Sequence, residues 1–426
     1  MTAEFEQIVR IYQHQITEEA DDVCVSAFVE VKSARIEFPK KLWFRFPSRY
    51  RANVSTDMNA FATALLPLSM YLGEDLLVDG ALSPHLLQGL NEYQRIQCGW
   101  KPSPFQPVKI HCERLEESKK DRVPSAVGSS FSGGVDSFQT LWRHLPENEP
   151  IPQYRITHCL MINGFDADTD VENAGHFLGI QRSMASALER SGVDLIVCRS
   201  NYMSFSDPNL LKLTFGAMVT APALALGGLF SCFFIPSSYR FDEFFRDGSH
   251  LVMDHLVSTE SMQTIHDSSH LDRPQRTAAI AEWDATHRAL RVCFNATGVE
   301  QESNTIRNCG RCEKCVRTMK TLEILGSLER FSTFPGRAGH AAVWACYYGD
   351  KGARIHGREV MKLAWQHRKW GIWMDYCLAM VLSMIIKWPR EGLQRMHLYL
   401  EDTSEVYATN MRRLFPRLRR RAYWIR

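Results

Sequence analysis

Beyond residue 123 the chain alternates short apolar runs with longer amphipathic stretches, the pattern of buried strands separated by helices. Ala126 to Phe131, Ile156 to Asn163, Leu195 to Arg199 and Cys232 to Ile235 predict strands. Asp136 to His144, Val171 to Ser191 (ended by Gly192) and Asn209 to Leu226 predict the helices between them. Such alternation implies an α/β fold, a parallel sheet with helices on both faces. Ligands of these sheets bind beyond the carboxyl ends of the strands, so the loops after Phe131, Ile162, Arg199 and Ile235 are expected to converge. Earlier residues read differently: a helix over Glu4 to Ile16, strands in Val23 to Val31 and Ala34 to Phe46, a helix over Leu82 to Tyr93 and a strand at Val108 to Cys112. With the charged run Arg114 to Arg122 as linker, residues 1–122 form an expected N-terminal α+β accessory domain. Residues 123–330 form the α/β domain, and 331–426 a helical C-terminal region.

Composition changes this picture little. Of 426 residues, 45% are apolar and 23% charged, enough for sizeable cores, and a net charge of +2 argues against a general nucleic-acid or membrane binder. Phe215 to Pro236 is apolar enough to raise the question of a membrane, but Pro222, Gly227 and Gly228 break it into a buried helix and a buried strand. Trp373 to Ile386 contains Asp375 and is too short to span, so a core helix is expected there. Met1 to Ala20 is acidic and amphipathic rather than leader-like, and the clustering of three of the twelve cysteines within seven residues points to metal rather than disulfides. The expected location is the reducing cytoplasm.

The strongest chemical signal is Ser132-Gly133-Gly134-Val135-Asp136-Ser137 at a strand-to-helix junction. Paired glycines let the backbone turn and approach a ligand, hydroxyls add donors, and the helix N-terminus presents free N–H groups to phosphate. Asp136, itself anionic, would hold Mg2+ against a pyrophosphate rather than touch phosphate. No Gly-Lys-Ser/Thr follows, so this is not a Walker loop. The string resembles the PP-loop of the N-type ATP pyrophosphatases, which include NAD, GMP and asparagine synthetases, tRNA thiolases and 7-cyano-7-deazaguanine synthase. That resemblance implies a Rossmann-like (HUP-type) adenine-nucleotide fold, ATP as substrate and cleavage to AMP and pyrophosphate.

The second signal is Cys309-x-x-Cys312-x-x-Cys315, whose two-residue gaps let thiolates close around one ion. Zn2+ takes four such ligands, and Cys293 is the nearest upstream candidate for the fourth. An iron–sulfur cluster with three cysteines is the competing metal reading. A PP-loop followed by a distant cysteine and this triplet resembles the 7-cyano-7-deazaguanine synthase (QueC) family over about Ser125 to Leu325. Carried over, Ser132 to Ser137 would bind ATP, and Cys293, Cys309, Cys312 and Cys315 would hold structural zinc. The N-terminal domain, the Arg-rich tail and the long loop between Cys293 and Cys309 depart from the stand-alone enzymes, so the substrate can differ. Enlarged relatives are associated with bacterial antiphage gene clusters, where a protein or nucleic acid can be the acceptor.

At the expected sheet edge, Phe165, Asp166, Asn201, Ser237 and Tyr239 are candidates to line the substrate cleft; a solvated turn capped at Asp168 or Asp170 is the alternative for the Asp166 segment. Arg273 and Arg276 precede an apparent helix, Thr277 to Arg288. The QueC resemblance puts such a basic pair near phosphates or the substrate carboxylate, where it would stabilise leaving pyrophosphate with Asp136 as a catalytic set; an exposed salt-bridging face is the alternative. His255, His266 and His270 read as loop histidines. Seven arginines among residues 412–426 suit RNA, DNA or a partner's acidic face, or else a packed helix-capping surface.

The implied enzyme is an AMP-forming C–N ligase. A deazaguanine-type carboxylate would attack the α-phosphorus of ATP, and ammonia or an amine would displace AMP to give an amide or nitrile. Its rivals are a thiolase, which needs a reactive cysteine, and a non-catalytic nucleotide-binding component of a defence complex. Oligomeric state, with a homodimer as one option, stays open.

Overall fold

The structure, a computed structural model, describes residues 8–31, 38–117, 124–165, 174–206, 210–243, 247–293, 299–300 and 305–403. It divides into two compact units, residues 1–307 with 331–333 and residues 308–330 with 334–426.

The first unit begins with β1 (Ile8–Glu19), β2 (Asp22–Val31) and β3 (Lys41–Pro47), then α1 (Asn59–Leu72), β4 (Asp75–Leu82), α2 (Pro84–Gly99) and β5 (Ile110–Leu115). The helix expected over Glu4 to Ile16 is thus corrected to a strand. Ile8, Val9, Ile11 and Ile16 are β-branched, and β1 lies between two partners, antiparallel to β2 and parallel to β4, so tertiary pairing overrides its amphipathic look. In β3, Leu42, Phe44 and Phe46 are fully buried while Trp43 and Arg45 occupy the other face, the alternation of a half-covered strand.

The chain continues with β6 (Ala126–Ser130), α3 (Val135–Arg143), β7 (His158–Asn163), α4 (Ala174–Glu189), β8 (Asp194–Ser200), α5 (Leu211–Ala225), β9 (Phe230–Pro236) and β10 (Gln263–Asp267). All five residues of β6 are buried, as a central parallel strand requires. The expected buried helix and strand at 215–236 are the end of α5 and β9. One ten-stranded sheet runs β10-β9-β6-β7-β8-β3-β2-β1-β4-β5. Its β6–β10 half is parallel throughout. In order of appearance that half reads 5-4-1-2-3, the doubly wound arrangement, whose order reverses beside its first strand. Right-handed crossovers put α3 and α4 on one face and α5 on the other.

The early strands extend this sheet. Phe44 and Arg45 of β3 pair antiparallel with Ser200 and Arg199 of β8, and Arg199 forms an ion pair with Asp22. Beyond β10 come α6 (Arg273–Ile280), α7 (Asp284–Ala289) and a two-stranded ladder, β11 (Val299–Glu300) with β12 (Thr305–Ile306).

Within its described residues the second unit is helical: α8 (Glu313–Leu325), α9 (His340–Trp344), α10 (Lys351–Gln366) and α11 (Trp370–Thr403). The stretch Trp373 to Ile386 is not a core helix. It belongs to the 34-residue α11, where Trp370, Met374, Met384 and Ile385 are exposed, and residues 370–387 are apolar and long enough to cross a membrane by length and composition. Its one acid, Asp375, is buried against His340 Nδ1 (2.7 Å) and Trp344 Nε1 (3.1 Å). The Arg-rich tail at 412–421 lies outside the described residues.

Packing of α2 yields a prediction with competing signs. Alanine is about 1 kcal/mol better than glycine in a helix interior. At Gly89, however, a Cβ would stand 1.9 Å from the carbonyl oxygen of Leu256. Gly89→Ala should therefore destabilise the protein by about 1–3 kcal/mol in urea unfolding, whereas a gain in stability would show that α2 does not pack there.

Candidate functional site

The glycine-rich loop leaves β6 where the strand order reverses, so it opens into the crevice between the diverging loops of β6 and β9. Gly133 has φ +73°, a left-handed conformation that favours glycine, and a Cβ there would also displace the Met184 side chain, whose Cε lies 2.1 Å away. Its carbonyl accepts the Arg291 N–H at 2.7 Å, and Ser132 Oγ accepts the Gly134 N–H at 3.3 Å. Gly134 is the N-cap of α3, and the Ser137 hydroxyl donates to the Gly134 carbonyl at 3.1 Å. The first N–H groups of α3 have no intrahelical acceptor, which makes the loop a positive, donor-rich end.

At the mouth of this loop lie Asp136, Arg273 and Arg276. Asp136 pairs with Arg273 through Oδ2 and with Arg276 Nη1 through Oδ1, the latter at 3.2 Å. The side chain of Arg276 is 1% exposed, and its Nη2 also donates to the carbonyls of Tyr239 and Ser268, both at 3.2 Å. One guanidinium thus joins the ends of β6, β9 and β10. The two arginines do not precede their helix, as sequence had it. They lie on the first turns of α6, fixed by a capping box between Asp272 and Gln275, and α6 ends before α7 begins. Two guanidinium groups thus face one carboxylate at the mouth of the loop. Asp136, with both oxygens facing guanidinium groups, does not fit a Mg2+ ligand as placed.

The remaining cleft candidates are dispersed. Phe165 packs on Tyr202 (centroids 5.5 Å apart), while Asp166 lies outside the described residues. The Asn201 amide serves β3: Oδ1 accepts the Trp43 N–H at 3.0 Å and Nδ2 donates to Lys41 O at 2.8 Å, so it fastens β3 to the end of β8. The Ser237 hydroxyl is buried and donates to Tyr239 O at 2.6 Å, shaping the turn that Arg276 holds. Asn163, at the end of β7, opens the stretch that sequence places at the sheet edge and has a buried Oδ1 with no hydrogen-bond partner among the described residues.

A polar cluster supports β10 from behind. Asp267 accepts from Thr140 Oγ1 at 2.8 Å and from Arg143 Nη1 at 2.5 Å, and His144 Nε2 lies 3.3 Å away. Burial pushes this carboxyl up, but the His144 hydrogen bond, the charges of Arg143 and His144 and the Ser268 hydroxyl outweigh it and hold the group at about 2.

The sulfurs of Cys293, Cys309, Cys312 and Cys315 all lie within 4.8 Å of one another, a cluster that can hold a metal ion. Cys309 and Cys315 are 3.8 Å apart and Cys312 and Cys315 3.4 Å. Four thiolates about 2.3 Å from one tetrahedral Zn2+ stand about 3.8 Å from each other, so the residues fit the ion. Sulfurs bound to separate irons of a cluster stand farther apart. Gly310 (φ +68°) makes the knuckle turn, the Cys312 N–H points at Cys309 Sγ (3.3 Å), and Cys312 caps α8, whose N-terminus favours thiolate charge. Between Cys293 and Cys309 in sequence, β11 pairs antiparallel with β12.

Comparison with protein-family models, curated proteins and solved structures yields no match.

Two outcomes follow from the ion pairs. Asp136→Ala leaves the buried Arg276 charge short of its counter-ion and should cost about 3–5 kcal/mol, with Asp136→Asn milder because an acceptor remains; equal stability of both with wild type in urea would contradict the pairing. Asp267, held below the ordinary carboxylate value of about 3.9, contributes stability that is complete above that value and lost as pH falls toward about 2. Asp267→Asn should therefore flatten the stability profile between those two pH values, and a variant as acid-sensitive as wild type there would oppose this.

Proposed function

We propose that this chain is an AMP-forming, PP-loop-type ligase of HUP-like fold that adenylates a carboxylate and passes the acyl group to ammonia or an amine. One observation carries the reading: a loop turning on Gly133 in a left-handed conformation stands at the switch point of a doubly wound sheet, with Arg273 and Arg276 gathered at its mouth. The loop and the α3 N-terminus receive the β- and γ-phosphates of ATP. The arginine pair faces the bridging oxygen that gains charge as pyrophosphate departs, and rearrangement of the Asp136 pairs on binding releases donors for it. The carboxylate substrate attacks the α-phosphorus in line, giving an acyl-adenylate. Attack by the amine then expels AMP. Positioning and charge supply the catalysis, with no covalent nucleophile on the protein.

The substrate class, a deazaguanine-type acid, comes from the motif combination of Ser132 to Ser137 with the four cysteines. Zn2+ at those cysteines would brace the knuckle; Cys293 lies two residues past Arg291, whose N–H holds Gly133. A thiolase needs an accessible thiolate, but Cys159 and Cys198 in β7 and β8 are buried and burial pushes both thiols far up.

The test is mass spectrometry of products after incubation with ATP, Mg2+, ammonia and 7-carboxy-7-deazaguanine. AMP plus an amide or nitrile is expected, with a loss of about 10-fold or more in Gly133→Ala, whose left-handed φ strains alanine. AMP formation equal in that variant would refute the site, and no AMP with deazaguanine acids or with protein or nucleic-acid acceptors would refute the ligase. Elemental analysis should give one zinc per chain, falling in Cys312→Ser; a purified protein carrying iron and sulfide instead would contradict the zinc reading.

A further inference from the structure

The backbone segment that Arg276 holds also walls a pocket. Beyond the ends of β9 and β10, Ser237, Tyr239, Asp247, His250, His266 and Ser269 line it. His266, read from sequence as a loop residue, is on β10. Its Nδ1 stands 2.7 Å from Oδ2 of Asp254, and the two side chains are 8% and 1% exposed. Asp254 is fixed in turn by the Ser249 hydroxyl at 2.7 Å and the His250 N–H at 3.2 Å. Among the described residues Nε2 of His266 has no hydrogen-bond partner, and it is not sealed from solvent.

A buried carboxylate on Nδ1 puts the ring proton there and leaves the Nε2 lone pair directed away from it, the arrangement of a general base. An ion pair that only tied β10 to the Asp254–Leu256 turn would not need its imidazole on a pocket wall. The pocket is next to the site rather than remote from it, because Tyr239 and the Ser268–Ser269 step belong to both.

We propose that the Asp254–His266 pair is the base of the second half-reaction, taking a proton from the amine as it attacks the acyl-adenylate. This rests on the ligase reading above. The C–N bond forms, the acyl C–O bond to phosphate breaks, AMP departs with the electron pair, and the surplus amine proton passes to Nε2 and then to water. The ionisable groups around His266 are Asp254, Asp247 and His250 from the segment between β9 and β10, with Arg240 and Glu243 lining the same pocket and Lys212 of α5 acting on Asp247. Burial, reinforced by Asp254, pushes Asp247 up to about 7, and burial pushes His250 down.

The test separates the half-reactions. Carboxylate-dependent ATP–pyrophosphate exchange reports adenylation. Amide formation from ammonia and from hydroxylamine, a weaker base unprotonated at neutral pH, reports acyl transfer. In His266→Gln, exchange should stay within about twofold of wild type while the ammonia reaction falls about 100-fold and hydroxylamine largely restores turnover. Asp254→Asn should show the same split. An unchanged ammonia rate with exchange intact, or a parallel fall of both half-reactions in a folded variant, would overturn the proposal. Should His266→Gln fail to fold, the wild-type pH profile decides: an acid-side fall in amide formation at constant free ammonia, absent from exchange, supports the base, and identical profiles oppose it. A wild type without exchange for any acid would remove the ligase reading as well, a result distinct from intact exchange with an indifferent His266.

Discussion

A guanidinium withdrawn from water must find its counter-charge and its acceptors inside the protein, and Arg276 finds them in three loops at once. Asp136 supplies the charge from the start of α3, and the carbonyls of Tyr239 and Ser268 come from the ends of β9 and β10. Those loops diverge at the switch point of the sheet, where packing alone would leave a gap. The buried cation sets their spacing, and its helix is fixed independently by the Asp272–Gln275 capping box. Loss of either charge exposes the other to the cost of burial without compensation.

The glycine loop depends on this arrangement and on a second hold from the opposite side. Gly133 is fixed in a left-handed conformation against Met184 of α4, and its carbonyl is pinned by the N–H of Arg291. Two residues further on, Cys293 belongs to the four-sulfur cluster. Arg291, whose N–H holds the loop, and Cys293 are thus separated by Val292 alone.

Much of this was legible in sequence where local chemistry dictates structure. The paired glycines, the cysteine spacing and the alternation of buried strands with helices after residue 123 each have a local cause, and the structure has the corresponding turn, cluster and parallel sheet. Legibility failed where pairing decides. Ile8 to Ile16 has an amphipathic pattern that suits either period, and only its placement between β2 and β4 makes it a strand. The junction of β3 with β8 depends on Asn201, whose side chain reads as a cleft residue until its two backbone partners are seen. His266 and Asp254 are twelve residues apart with no motif between them, and a fold is needed to bring them to 2.7 Å.

The most direct measurement of the central claim is a crystal structure with a non-hydrolysable ATP analogue. The account places the β- and γ-phosphates on the N–H groups of Ser132 to Ser137, with Arg273 or Arg276 turned from Asp136 toward the α–β bridging oxygen. Triphosphate bound elsewhere on the chain, or an empty crevice at saturating analogue with the Asp136 pairs unchanged, would contradict it.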